Sequence, residues 1–121
     1  MSEYYYIFIR PGFPRERLVH DIASACEAEL KPVNSEFIDY AANLGHAAVE
    51  LELTHEYEED HGMPFGRYDS LFTVRDFDSN LERQEATARR LFGRLAALDR
   101  YDLILVRDLQ ELLASSGSSS K

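Results

Sequence analysis

The sequence predicts an α+β domain in which an antiparallel sheet carries two main helices on one face. Two periodicities and one kind of punctuation lead there. Residues 47–57 alternate apolar and acidic side chains with the period of two that a half-buried strand imposes. Residues 15–30 and 81–98 repeat apolar side chains at helical spacing. Turn formers at Pro11-Gly12, Asn43-Leu44-Gly45 and Gly62 to Gly66 separate the segments.

Taken in order, Tyr4–Arg10 is aromatic and β-branched on both parities and is closed by Pro11-Gly12, as expected of a first, central strand. Pro14 suits the first turn of a helix, where its missing N–H costs nothing. The stripe Leu18, Val19, Ile22, Cys26 and Leu30 then marks that helix, which Lys31-Pro32 ends. Ser35–Ala41 reads as a second strand, joined by a tight turn to the strand that starts at Ala47. Gly62, Pro64 and Gly66 forbid regular structure and predict an exposed loop, after which Tyr68–Phe77 returns as a fourth strand.

Ser79 and Glu82 form an S-x-x-E capping box ahead of the second helix, whose stripe is Leu81, Ala88, Leu91, Phe92, Leu95 and Leu98. Arg83, Arg89, Arg90 and Arg94 take its wet side. Leu103–Val106 is a continuous apolar run, the mark of a strand covered on both faces. Asp108 and Glu111 repeat the capping logic for a short C-terminal helix carrying Leu109, Leu112 and Leu113. The order is β-α-β-β-β-α-β plus that helix, close to the split βαβ, ferredoxin-like plan with an added strand. One domain over residues 1–114 and a disordered Ser-rich tail over 115–121 are expected.

With 13 Lys+Arg against 22 Asp+Glu in 121 residues, the formal charge is −9. Such a chain is repelled by phosphate backbones and anionic membranes and attracts basic proteins. Cys26 is alone, which excludes an internal disulfide and fits a reducing compartment. The N-terminal residues lack the charged and apolar regions of a signal peptide, and no segment is long and apolar enough for a membrane span, so a cytoplasmic protein is expected.

The alternation in AVELELTHEYEED places Glu50, Glu52, Glu56 and Glu58 on one edge of the ribbon, continued by Glu59 and Asp60. No Lys or Arg interrupts them. If Ile7 and Ile9 face the helices, then Tyr4, Tyr6 and Phe8 lie on the open face beside these acids. Carboxylates give steering and Arg pairing, and aromatic side chains give desolvated contact area, so this face suits a basic partner. Tyr57, Phe65 and Tyr68 are the candidate packing residues. The competing reading is a solvated acidic face with no partner.

His55 and His61 are the weak candidates for a metal site, since they flank four carboxylates without any H-E-x-x-H or calcium-loop pattern. No nucleophile elbow and no Gly-rich phosphate cradle is present, so neither catalytic residues nor a cofactor is expected.

Three runs, VELELTHEYEEDHGMPFGRYD (Val49–Asp69), ERQEATARRLFGRLAAL (Glu82–Leu98) and YDLILVRDLQELL (Tyr101–Leu113), resemble small bacterial proteins of the myxobacterial swarming-inhibition immunity family. The resemblance covers the C-terminal half. It implies an immunity protein that neutralises a cognate toxin and has no catalysis of its own. The alternative is a ferredoxin-like ligand-binding or enzymatic domain, dimeric through its sheets, with a cavity between sheet and helices lined by Tyr5, His55 or Tyr57.

Overall fold

Alternation along the central strands decides how the layers stack. The computed structural model describes residues 4–59 and 62–117. Its elements are β1 (Tyr5–Arg10), α1 (Arg15–Cys26), β2 (Lys31–Pro32), β3 (Tyr40–Asn43), β4 (Ala47–Glu52), β5 (Ser70–Asp76), α2 (Leu81–Ala97), β6 (Asp102–Arg107) and β7 (Glu111–Ser116). A 3-10 turn, Phe65–Arg67, lies between β4 and β5. All strand pairs are antiparallel, in the order β2-β3-β4-β5-β1-β6-β7.

One parity of the inner strands faces both helices. Tyr5, Ile7 and Ile9 of β1, Val49 and Leu51 of β4, Phe72 and Val74 of β5, and Leu103 and Leu105 of β6 are buried there. Leu18, Ile22 and Ala25 of α1 and Ala88, Leu91 and Leu95 of α2 complete the layer. Register enforces the match, since Ile7 pairs with Phe72 on one side and Leu105 on the other, all of one parity. Asp21, buried in this layer, accepts from Tyr101 at 2.6 Å and pairs with Arg100 at 3.0 Å. Cys26 packs against the same core, and burial pushes its thiol up to about 12, which makes it inert.

The opposite parity meets a second, smaller cluster. Phe8, Leu71, Ile104 and Val106 are covered by Met63 and Phe65 from the connection between β4 and β5, with Tyr6, Tyr68 and Leu109 at its margin. Phe65 stacks on Phe8 with centroids 4.4 Å apart and planes 15° apart. Both faces of β5, β1 and β6 are therefore dry, as the apolar run Leu103–Val106 predicts.

Several expectations are corrected. The sheet has seven strands where five were expected, because Lys31-Pro32 pairs with Tyr40 and Ala41 as a short edge strand and the C-terminal segment is β7, not a helix. Asp108 and Leu109 both take left-handed φ, at 52° and 60°, and Gln110 N–H donates to the Arg107 carbonyl. Such a turn joins two strands into a hairpin and overrides the capping pattern. Leu113 and Ala114 then reach the helix-side core through a bulge in the β6–β7 pairing. β7 runs to Ser116, so it takes in the first two residues expected of the tail; residues 118–121 lie outside the described ones.

The second strand is Tyr40–Asn43 rather than Ser35–Ala41, and α2 is capped by Asn80, whose side chain accepts from Arg83 N–H. Leu81 is 46% exposed and outside the apolar stripe. Among the described residues no helix is long and apolar enough to cross a membrane.

The two clusters differ in what truncation should cost. Replacing buried Phe65 by Ala opens a cavity over Phe8 and should lower unfolding free energy by about 3–5 kcal/mol. Leu81→Ala should stay within about 0.5 kcal/mol, as for exposed sites. Urea titrations of both variants, followed by tyrosine fluorescence, check the contrast; equal losses would mean that the loop does not hold the second face.

Candidate functional site

β4 keeps the predicted parity. Ala47, Val49 and Leu51 are buried while Ala48, Glu50 and Glu52 are half-buried on the face opposite the helices. The strand stops at Glu52, however, because the chain bends at Leu53 and Thr54. Asp39 accepts from Leu53 N–H at 2.8 Å, and Ser70 Oγ donates to the Leu53 carbonyl at 2.7 Å, so the bend is tied to both neighbouring segments. Past it the alternation no longer governs direction. His55 and Tyr57, expected on the buried parity, turn onto the second face and pack edge-on against Phe8, at 5.1 Å and 6.3 Å between centroids.

That bend makes one wall of a groove of about 740 Å³. Thr54, His55, Glu56 and Tyr57 line it from the segment past the bend, Glu36, Phe37, Ile38 and Asp39 from the segment before β3, and Glu52 from the end of β4. Among the described residues the lining contains four carboxylates and no Lys or Arg. Two of its aromatic side chains are offered to water, Phe37 at 56% and Tyr57 at 43% exposure.

The carboxylate of Glu52 takes no hydrogen bond or ion pair among the described residues. Burial raises its pKa, with the charges of Glu50 and Asp39 adding to the effect. Tyr57 is raised by burial and by Glu52, and Tyr6 is pushed up to about 12 by burial, with Tyr57, Asp108, Tyr4 and Glu52 adding to it. The surface is thus locally overloaded with negative charge. Two cations on this side of the sheet are already engaged. Arg75 lies 3.7 Å from Glu50, and Arg10 pairs with Asp102 while its guanidinium sits 5.6 Å above the Tyr68 ring.

The residues expected to bind a partner are only partly brought together. Glu52, Glu56 and Tyr57 line the groove; Glu58 and Glu59 are exposed beside it. Glu50 lies on the same face one turn of pleat away and Tyr68 is half-buried. Phe65 is a correction: at 1% exposure it is core and offers nothing to a partner. Asp60 lies outside the described residues, as does His61. Phe8 is likewise buried rather than on an open face.

Glu36, Phe37 and Asp39 were missed because the alternation in SEFIDYA reads as a strand, which hides that 33–39 is an irregular segment standing beside the bend. The cavity expected between sheet and helices is also corrected. Tyr5 is buried on the helix side, donating to Glu85 at 3.0 Å, whereas His55 and Tyr57 lie on the other face.

His55 is held by both ring nitrogens. Nε2 donates to the Tyr68 carbonyl at 2.6 Å, and Nδ1 accepts from Tyr57 N–H at 3.1 Å. This fixes one neutral tautomer and leaves no ring nitrogen for a metal. Among the described residues no group of three or more His, Cys, Asp or Glu side chains is arranged to hold a metal ion. Comparison with protein-family models, with characterised proteins and with solved structures finds no match to this chain.

Burial lowers the pKa of His55, outweighing the opposite pull of the Tyr68 and Phe65 backbone and of Asp69. The folded value therefore lies below the unfolded one of about 6.5. The neutral imidazole contributes stability that is complete above the unfolded value and is lost as pH falls through the folded value. Thermal melts between pH 7.5 and 5 should show this decline in the wild type and a flatter profile in His55→Gln. Parallel profiles would show that His55 is not held neutral.

Proposed function

We propose that this domain is an acidic protein-binding module that recognises a basic protein partner through the groove and the exposed run Glu56, Tyr57, Glu58 and Glu59. The single observation that carries this reading is the lining of the groove, with four carboxylates, two exposed aromatics and no Lys or Arg among the described residues. Carboxylates around an exposed aromatic give fast, steered association, and the aromatic supplies area that becomes dry on contact.

An immunity protein that neutralises a basic toxin domain in the cytoplasm of the producing cell is the specific form of this reading. An inhibitor of that kind needs only a surface complementary to its target. The net charge of −9 supports it, since toxins that attack nucleic acid carry basic substrate-binding surfaces for an acidic inhibitor to occupy. For the scaffold, we read β4-β5-β1-β6 with α1 and α2 as a split βαβ, ferredoxin-like unit extended by β2 and β3 on one edge and β7 on the other. The strand order and the position of each helix after β1 and β5 support that assignment.

Co-expression with the product of an adjacent secreted-toxin gene tests the function. The wild type should relieve growth arrest, and Glu56→Lys/Glu58→Lys should fail to do so while remaining folded. With the purified pair, association at physiological salt should slow by roughly tenfold or more in that variant, because exposed charges act mainly on the on-rate. A folded double variant that protects as well as the wild type would remove this surface from the reading.

A further inference from the structure

We propose that the groove seats an arginine side chain of the partner, its guanidinium on the Glu52 carboxylate and against the Phe37 and Tyr57 rings. This rests on the acidic-surface reading above and names the chemistry that the surface selects.

Three features converge on arginine. The first is the carboxylate of Glu52. Glu52 is half-buried, carries like-charged neighbours in Glu50 and Asp39, and has no cation partner among the described residues. A carboxylate withdrawn from water without a counter-charge is costly, and an incoming cation offsets that cost most where water is already reduced. The second is the wall. Phe37 and Tyr57 line the same groove and stay largely exposed, although most large apolar side chains of the chain are buried. A planar, delocalised cation stacks on aromatic faces and sheds its hydration more readily than an ammonium, which distinguishes arginine from lysine.

The third feature is charge complementarity. Asp39 and Glu36 from one segment and Glu56 from the other add three more carboxylates to the lining, while Thr54 and the neutral His55 contribute no positive charge. The fold uses the same combination internally. Arg10 is bound by the Asp102 carboxylate and sits over the Tyr68 ring. The groove offers the carboxylates and the rings with the guanidinium left to be supplied.

The experiment uses the full chain with nona-arginine and nona-lysine peptides as probes at 150 mM NaCl, read by calorimetry and by amide chemical shifts. Nona-arginine should bind roughly tenfold tighter than nona-lysine, since stacking and bidentate pairing favour the guanidinium. Its shifts should centre on Phe37, Glu52 and Tyr57. Phe37→Ala and Glu52→Gln should each bring the two affinities together.

Phe37 is exposed, so its variant tests the wall without risk to the core. Equal affinities for the two peptides, or shifts centred elsewhere, overturn the arginine assignment while leaving an acidic docking surface in place. Failure of both peptides to bind overturns the acidic-surface reading as well.

Discussion

The stack of Phe65 on Phe8 determines which half of the second sheet face is dry and which half meets solvent. A seven-stranded sheet with both helices on one side leaves its other side to be covered by something. Here one irregular connection does so, with Met63 and Phe65 reaching across β5, β1 and β6. β3 and β4 contribute no residue to the cluster that it makes. Ala41, Ala48, Glu50 and Glu52 therefore remain half-exposed, and the groove forms where the covered and uncovered halves meet. The position of the acidic surface is a consequence of where a single aromatic pair anchors a loop.

The same division organises the charges. Arg83 is committed to Asp76 and Asp78, Arg89 to Glu85, Arg94 to Glu27, Arg100 to Asp21 and Arg107 to Glu111. Arg83 fastens α2 to β5, Arg94 ties α2 to the end of α1, and Arg107 braces the turn between β6 and β7. Arg83 and the neighbouring backbone N–H groups hold the Asp76 carboxyl far below the usual carboxylate range. Arginines of α2 thus serve the framework on the helix side. Glu36, Glu52, Glu56, Glu58 and Glu59 have no ion-pair partner among the described residues, so the excess negative charge is concentrated around the groove.

How far the sequence discloses this depends on the range of the interactions involved. Both main helices, the strand at Ala47–Glu52 and the doubly buried strand at Leu103–Val106 are legible because one residue type repeats against one layer. The acidic parity of Glu50 and Glu52 is legible for the same reason. What happens beyond Leu53 is not, because the alternation continues in the letters after the backbone has turned. The turn is imposed by Asp39 and Ser70, which lie 14 and 17 residues away. Phe65 looks like a loop aromatic until Phe8 is placed beneath it. The C-terminal hairpin is hidden because two left-handed residues, neither of them glycine, make its turn.

His55 links the loop to the chemistry of the groove. Its two hydrogen bonds hold Tyr57 and Tyr68 in place, and its ring packs edge-on against Phe8, so it belongs to the cover of the second face. It also lines the groove. A charged imidazole there would stand against any incoming cation and would partly neutralise Glu52, Asp39 and Glu56 from within. The backbone N–H of Tyr57 occupies Nδ1 only while the ring is neutral. The contact that fixes His55 therefore also keeps positive charge out of the groove lining, and shape and polarity there follow from one tautomer.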